Sequence, residues 1–210
     1  MRGLLAIWSD IAPELETDYL HWLTREHTSE RVSTDGFRAV RVFRSTMTAA
    51  CRYFILYELD GPGVLDSAAY VAKLNDPTPW TRRIMARVTN FARGGGAVIA
   101  ADGVGQGGIV APIATDTIPD REIVARLAGD RIAAVRLLAT DQARTAVRTQ
   151  EKSLRRDDRS FAGLILIEGL DESAVARTVE RLALVAPHLS AAAGAPLYRQ
   201  VFGLEKRMIV

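Results

Sequence analysis

The chain has 210 residues, of which 48% are hydrophobic and 25% charged, a balance typical of a globular protein with one domain or two small ones. Its 27 lysine and arginine residues and 25 aspartate and glutamate residues leave a formal net charge of +2. This balance excludes a strongly basic nucleic-acid-binding protein and an acidic disordered chain, so nucleic acid is not an expected partner.

The sequence predicts no targeting segment and no membrane span. The longest early apolar run, residues 4–8, is too short for the core of a signal peptide, and no stretch of about 18 apolar residues follows. The single cysteine, Cys51, excludes an internal disulfide and a cysteine zinc cluster. We therefore expect a cytoplasmic protein without membrane association, metal or cofactor.

Taken in chain order, the hydrophobic periodicity predicts two successive β-α-β-β-α-β units. The first unit has predicted strands at 3–9, 37–44, 53–59 and 91–101, and predicted helices at 13–32, 65–74 and 80–88, with Gly94–Gly96 as a bulge or bend in its last strand. The second unit has predicted strands at 108–114, 131–140, 160–168 and 196–204, and predicted helices at 119–129 and 171–189. The glycine-rich residues 103–108 are interpreted as the link between the two units.

Short matches in the same order indicate an internal repeat. Ala39-Val40-Arg41-Val42 corresponds to Ala134-Val135-Arg136-Leu137, and Leu56-Tyr57-Glu58 corresponds to Leu166-Ile167-Glu168. A β-α-β-β-α-β unit forms a four-stranded sheet with both helices on one face, and its bare face needs a cover. The prediction is an α+β fold in which two ferredoxin-like repeats, residues 1–102 and 108–210, pack sheet to sheet as a single-chain α+β barrel.

The first repeat also contains a local pattern. It reads Tyr19-x-x-Trp22-x-x-x-Glu26-His27-x-x-x-Arg31, then Gly36-Phe37, then Tyr53-Phe54-x-Leu56-Tyr57-Glu58. With the order of elements, this resembles the dimeric α+β barrel superfamily in its tandem-repeat form, and most of all the branch with EthD-like proteins and cofactor-free monooxygenases. The resemblance implies a pocket between the sheet and the helices for a small hydrophobic or aromatic molecule, without implying a particular reaction.

The first helix supplies the candidate catalytic residues, Glu26 and His27. On a helical wheel at 100° per residue, Glu26 falls inside the apolar stripe that contains Trp22, and His27 lies at its edge. One interpretation is a pocket at this end of the helix, with Glu26 or His27 as a proton carrier. The other is a helix end that projects past the sheet into water.

The candidate ligand-binding residues are Trp22, Tyr53, Tyr57, Trp80 and Arg83. Tyr53 and Tyr57 lie on one face of the third strand, which suits either an oxygenated aromatic ligand or core packing with satisfied hydroxyls. Trp80 and Arg83 follow a Pro-Thr-Pro segment. That segment forms either a lid with an anion contact or only the start of a helix.

Two further charged patterns carry structural predictions. Arg41 and Arg136 occupy equivalent registers, and carboxylates on neighbouring strands, Glu58 and Glu168, are their candidate partners in an ion pair or an acid-substrate site. Residues 144–159 carry six basic and three acidic side chains, which predicts a solvated connection between strands.

Three functions stay open on the sequence. The first is a cofactor-free enzyme that acts on a small hydrophobic or aromatic compound by oxygenation, isomerisation or decarboxylation. The second is a non-catalytic binding or assembly protein whose pocket is filled or vestigial. The third, implied by the resemblance, is a haem protein, for which His188 is the single histidine of the second half. Edge strands of small sheets favour pairing, which makes a homodimer an expected assembly.

Overall fold

The computed structural model describes residues 2–46, 51–155 and 157–209, with only the backbone of residues 190–193. Residues 1 and 210, at the ends of the predicted repeats, and Arg156, within the predicted 144–159 connection, lie outside the described residues. Among the helices that are described, none is long and apolar enough to cross a membrane.

Eight antiparallel strands form a closed barrel, which confirms the predicted α+β barrel. The strands are β1 (Gly3–Ile11), β2 (Phe37–Ser45), β3 (Cys51–Leu59), β4 (Thr89–Asp102), β5 (Ile109–Thr115), β6 (Ile132–Thr140), β7 (Gly163–Gly169) and β8 (Tyr198–Glu205). Their order round the ring is β1-β3-β2-β8-β5-β7-β6-β4. The order β4-β1-β3-β2 of the first half therefore recurs as β8-β5-β7-β6 in the second.

Closure of the ring removes the free outer strands on which the expectation of a homodimer depended. Each strand has a neighbour on both sides, although β5 and β8 pair only through Ile109–Arg199 and Val110–Tyr198. Farther along β5, Pro112 has no N–H to offer a partner strand. The homodimer stays a prediction, and the part of β8 beyond Arg199, which does not pair with β5, offers one strand edge for it.

The helices cover the outside of the barrel. They are α1 (Glu16–Trp22), α2 (Thr28–Ser33), α3 (Ala68–Asn75), α4 (Pro79–Met85), α5 (Ile123–Leu127), α6 (Gln142–Thr145), α7 (Gln150–Ser153) and α8 (Glu172–Val185). A π-helical turn, Leu23–His27, joins α1 to α2. The helix predicted at 119–129 is shorter in the structure, where α5 covers five residues. The short helices α6 and α7 occupy part of the segment for which a solvated connection was predicted.

Three hydrophobic cores follow from this layering. The barrel interior contains side chains of both halves, among them Phe54 and Leu56 from β3 and Leu164 and Leu166 from β7. A second core lies between the first-half strands and the helices from α1 to α4, and a third lies beneath α5 and α8. Side chains fill the middle of the barrel, and grooves of about 430 and 410 Å³ open at its two ends. The space between the sheet and the helices, where the resemblance implies a pocket, is described below.

The glycine run in β4 corrects a local prediction. Gly94, Gly95 and Gly96 pair in regular register with β1 and form no bulge at that edge. A Cβ atom at Gly94 would lie against the ring of Phe161, and one at Gly96 against the carbonyl oxygen of Ala139. The glycines therefore allow close packing on β4.

The predicted ion pair closes one end of the barrel. Arg41 binds Glu168 through two hydrogen bonds of 2.6 and 3.1 Å, and Arg136 binds the same carboxylate. The backbone N–H of Gly107 also donates to Glu168, at 3.2 Å. Glu58 is not part of this cluster. Arg41 and Arg136 therefore form the predicted ion pair with Glu168, beside a groove of about 430 Å³.

Candidate functional site

The π-helical turn decides which side chains of the first helix face the sheet. Both the backbone N–H and the hydroxyl of Thr28 donate to the carbonyl oxygen of Leu23, the hydroxyl at 2.7 Å. A backbone bond that reaches five residues back defines a π turn. The added residue moves every later side chain about 100° round the helix axis relative to an ideal α-helix.

This shift corrects the helical-wheel prediction for Glu26. After the turn, His27 takes the inward position that the ideal wheel gives to Glu26, and Arg31 follows it inward. His27 and Arg31 are 5% and 2% exposed, whereas Glu26 is only half-buried. Glu26 accepts a 2.6 Å hydrogen bond from the hydroxyl of Thr78, the N-cap residue of α4, and does not line the cavity described next.

A small cavity lies between the first helix and the outer face of β1 and β3, where the family resemblance implies a pocket. Its volume is about 20 Å³, which suits roughly one water molecule. Its walls are mainly aromatic and contain several ionisable groups. They consist of Ile7, Ser9, Tyr19, Trp22, His27, Arg31, Ile55, Tyr57, Tyr70, Met85, Val88, Phe91, Arg93 and Glu151.

His27 presents a neutral imidazole to this cavity. Its ring packs on Trp22 with 4.2 Å between ring centroids, and the indole N–H of Trp22 donates to Thr81 at 3.0 Å, which fixes the stack. Burial holds the pKa of His27 well below its ordinary value of 6.5, and the positive charges of Arg31 and Arg155 add to the effect. The buried Nδ1 atom has no hydrogen-bond partner among the described residues.

Tyr57 presents a second unsatisfied group to the same cavity. Its side chain is 1% exposed, and its hydroxyl has no partner within the described part of the chain. Burial raises the pKa of Tyr57 far above its ordinary value, so the hydroxyl stays protonated. Buried polar groups without partners are rare in folded proteins, and two beside one cavity indicate a place for a polar ligand or water.

A buried ion pair forms one wall of the cavity. Arg31 of α2 binds Glu151 of α7, which comes 120 positions later, and their side chains are 3% and 6% exposed. The prediction of a solvated connection at 144–159 is therefore wrong for this part of it. Arg155 is also buried, with its guanidinium 3.9 Å from the centroid of the Phe91 ring.

Arg93 of β4 is the charged lining residue without a counter-charge. It is 4% exposed, and its guanidinium makes no hydrogen bond or ion pair with any described residue. The neighbouring Lys152 has its pKa lowered to about 8, first by burial and then by the charge of Arg93. No carboxylate among the described residues therefore forms an ion pair with Arg93.

Tyr53 points away from the cavity. Its hydroxyl donates to Glu16 at 2.5 Å, and Arg44 binds the same carboxylate at 2.8 Å. Its ring packs on Tyr19, with 5.0 Å between centroids. This is the core-packing alternative that the sequence left open for Tyr53, while Tyr57 lines the cavity.

Trp80 and Arg83 form a separate contact on the outer side of the helices. The indole N–H of Trp80 donates to Asp18 at 3.0 Å, and Arg83 binds the same carboxylate at 3.2 Å. The guanidinium of Arg83 lies over the Trp80 ring at 5.9 Å. This cluster attaches α4 to α1 and does not include a cavity-lining residue.

Of the residues that line the cavity, the sequence analysis identified Trp22, His27 and Tyr57 and missed Arg93 and Glu151. A signal for Arg93 exists, because it shares one strand face with the apolar Phe91, where a lone charge is unusual. No local signal exists for Glu151, whose partner is distant in sequence.

The described residues around His188, the histidine that the haem alternative would use, form a surface groove. His188 is exposed and lines a surface groove of about 170 Å³ together with Asp120 and Glu122. This is below the range of about 300–1,000 Å³ for ligand pockets, and its carboxylates do not suit a haem face. Nor does the described part of the chain group three His, Cys, Asp or Glu side chains in a way that could hold a metal ion.

No family model and no curated protein matches the chain. Solved structures do match along its full length. An anthrone oxidase-like protein superposes with a TM-score of 0.66 at 11% identity, covering 100% of this chain and 94% of that one. A candidate monooxygenase from Lactobacillus acidophilus NCFM gives a TM-score of 0.52 at 7% identity, with 98% and 97% covered. A candidate chlorite dismutase gives 0.54 at 13%, with 96% of both chains covered. These likenesses show the fold alone: the chain is an α+β barrel, as these structures are.

Proposed function

We propose that this protein binds a small hydrophobic or aromatic compound beside Trp22, His27 and Tyr57, and oxygenates it without a cofactor. The observation that carries the proposal is the pair of unpartnered buried groups, Nδ1 of His27 and the hydroxyl of Tyr57, on one aromatic-walled cavity. The fold shared with an anthrone oxidase-like protein and with candidate monooxygenases supports this class of reaction over isomerisation and decarboxylation.

The chemistry needs only groups that the chain supplies. Neutral His27 accepts the acidic proton of the substrate, from a hydroxyl or from an activated CH₂ group. The guanidinium of Arg31, on the same cavity, attracts the resulting anion. The negative charge of that anion also raises the pKa of His27, because its attraction for the protonated ring opposes the repulsion from Arg31 and Arg155. An electron-rich anion can transfer electrons to dioxygen directly. Oxidation of a CH₂ group to C=O places one oxygen atom in the product and releases the other as water.

Ligand entry requires one wall to move. The cavity of about 20 Å³ is far below the roughly 300 Å³ of the smallest usual ligand pockets. The wall that contains Glu151 belongs to α7, a helix of only four residues in a long connection that packs on α3 and α4. We propose that displacement of α7 enlarges the cavity for the substrate.

The small volume also favours a second candidate, a non-catalytic binding protein with a filled pocket. Oxygen uptake with anthrone as the probe separates the two. The enzyme proposal predicts uptake that is abolished in His27→Phe, which keeps an aromatic ring on Trp22, and retained in His21→Phe on the same helix. Quenching of tryptophan fluorescence by anthrone without oxygen uptake would favour the binding protein and reject the oxygenase.

We also propose the finer architecture behind the barrel: two ferredoxin-like repeats, residues 1–102 and 108–210, related to the branch of EthD-like proteins and cofactor-free monooxygenases. The recurring strand order β4-β1-β3-β2 and β8-β5-β7-β6 supports the repeat. The equivalent placement of Arg41 on β2 and Arg136 on β6 also supports the repeat, because both arginines bind the carboxylate of Glu168.

A further inference from the structure

We infer that the compound bound in this cavity carries a carboxylate and that Arg93 is the residue that receives it. The inference rests on the proposed small-molecule site and adds the chemical class of its ligand. It predicts a hydroxylated aromatic acid, with its acid group at Arg93 and its aromatic ring among the aromatic walls.

The balance of buried charge is the first argument. Arg31, Arg93 and Arg155 are all buried, and the guanidinium group of arginine is a cation in proteins. Arg31 is matched by Glu151, and Arg155 by Asp158 at 2.7 Å. Only Arg93 is left without a carboxylate in the described structure, and a buried unpaired charge is costly to a fold.

The surroundings of Arg93 are the second argument. Phe91 precedes it on the same face of β4, and Lys152 lies close enough that the charge of Arg93 lowers its pKa. Glu151, the acidic residue that lines the same cavity, is bound to Arg31. An anion that enters the cavity would therefore meet a positive field from β4 and from the connection. The guanidinium fork also matches the two oxygens of a carboxylate in geometry.

The size and chemistry of the walls are the third argument. A phosphate dianion usually needs several donors with free N–H groups. In Arg31, Nη2 already binds Glu151, and Nη1, although it makes no hydrogen bond, lies 3.5 Å from the carboxylate of Glu30. A planar monocarboxylate needs one fork and can leave its ring against Trp22, Tyr70 and Phe91. A hydroxyl on that ring can then reach His27, as the proposed proton transfer requires.

The test compares salicylate with salicylamide, which differ in charge but hardly in size. Binding is measured by titration calorimetry on the full-length protein. Because charged hydrogen bonds contribute more than neutral ones, salicylate is expected to bind about 10- to 100-fold more tightly. Arg93→Met should remove this preference, while Arg126→Met, which changes an exposed arginine on α5, should retain it.

Equal affinity for the two probes in the unaltered protein would overturn the inference, and this comparison does not depend on whether a variant folds. So would an acid preference that persists in Arg93→Met. If phenol or anthrone binds in a manner that depends on His27 while salicylate has no advantage, the carboxylate is rejected and the proposed function survives. If none of these probes binds, both are rejected.

Discussion

Replacing Arg31 by methionine is expected to destabilise the protein by about 3–5 kcal/mol, because the carboxylate of Glu151 would stay buried without a partner. The two side chains are 3% and 6% exposed, so neither charge can reach water without moving α7. For a chain of 210 residues, the loss corresponds to a fall in Tm of about 6–20 °C.

The double variant Arg31→Met/Glu151→Leu separates this ion pair from ordinary packing. Replacing both partners of a buried pair by apolar groups of similar size is neutral or stabilising by about 1–4 kcal/mol in known cases, so most of the lost stability should return. Arg38→Met is the matched control, since Arg38 pairs with Asp60 on the surface, where both side chains are more than half exposed.

Urea unfolding followed by circular dichroism measures all three variants. The exposed Arg38 pair should contribute less than about 1 kcal/mol. An Arg31→Met variant within 1 kcal/mol of the unaltered protein would refute a buried ion pair at the cavity wall. Failure of the double variant to recover would show that the loss comes from packing and not from charge.

Three further predictions concern single residues. The folded-state pKa of His27 lies below 6.5, so the unfolded chain binds a proton more readily than the folded protein, and stability should fall as the pH drops below 6.5. The urea midpoints measured above and below that pH should differ less in His27→Phe than in the unaltered protein. Thr78→Ala removes the N-cap of α4 and should cost about 1 kcal/mol in urea unfolding, without changing the affinity for salicylate, because neither Thr78 nor Glu26 lines the cavity. Glu168→Gln leaves two arginines at the barrel end without their carboxylate and should cost about 3–5 kcal/mol by the same measurement, whereas a change below 1 kcal/mol would contradict the ion cluster.

The strands and the barrel could be predicted because their signal is local. In β3, Phe54 and Leu56 face the interior while Ile55 and Tyr57 face the helices, and both faces are apolar because both are covered. The pairing of Arg41 with Glu168 could be predicted as well, since a charge on a buried strand requires an opposite charge on a neighbouring strand. The helices of the second half were harder to predict, because α5 has only five residues and carries a weak periodic signal.

The connection at 144–159 shows where composition misleads. Six basic residues in sixteen positions are typical of a solvated segment, yet Glu151 and Arg155 are buried. Their burial depends on Arg31 and Phe91, which lie far earlier in the chain. A local charge pattern cannot contain that information, since the same residues would be solvated if the first half did not supply a carboxylate-binding arginine and an aromatic face.

The π turn is a local feature of the helix that depends on contacts with residues far away in the sequence. Thr24 and Thr28 look alike in the sequence, but the hydroxyl of Thr24 bonds back to residue 20 and that of Thr28 to residue 23, a difference of one residue that rotates the end of the helix. The rotation lets Arg31 reach a partner 120 positions away while Glu26 reaches Thr78, 52 positions away. Helix propensity favours the regular turn, so these tertiary contacts have to outweigh it. A wheel built on 3.6 residues per turn therefore identifies the correct helix, but it places Glu26 inside the apolar stripe and His27 only at its edge, whereas in the structure His27 lines the cavity and Glu26 does not.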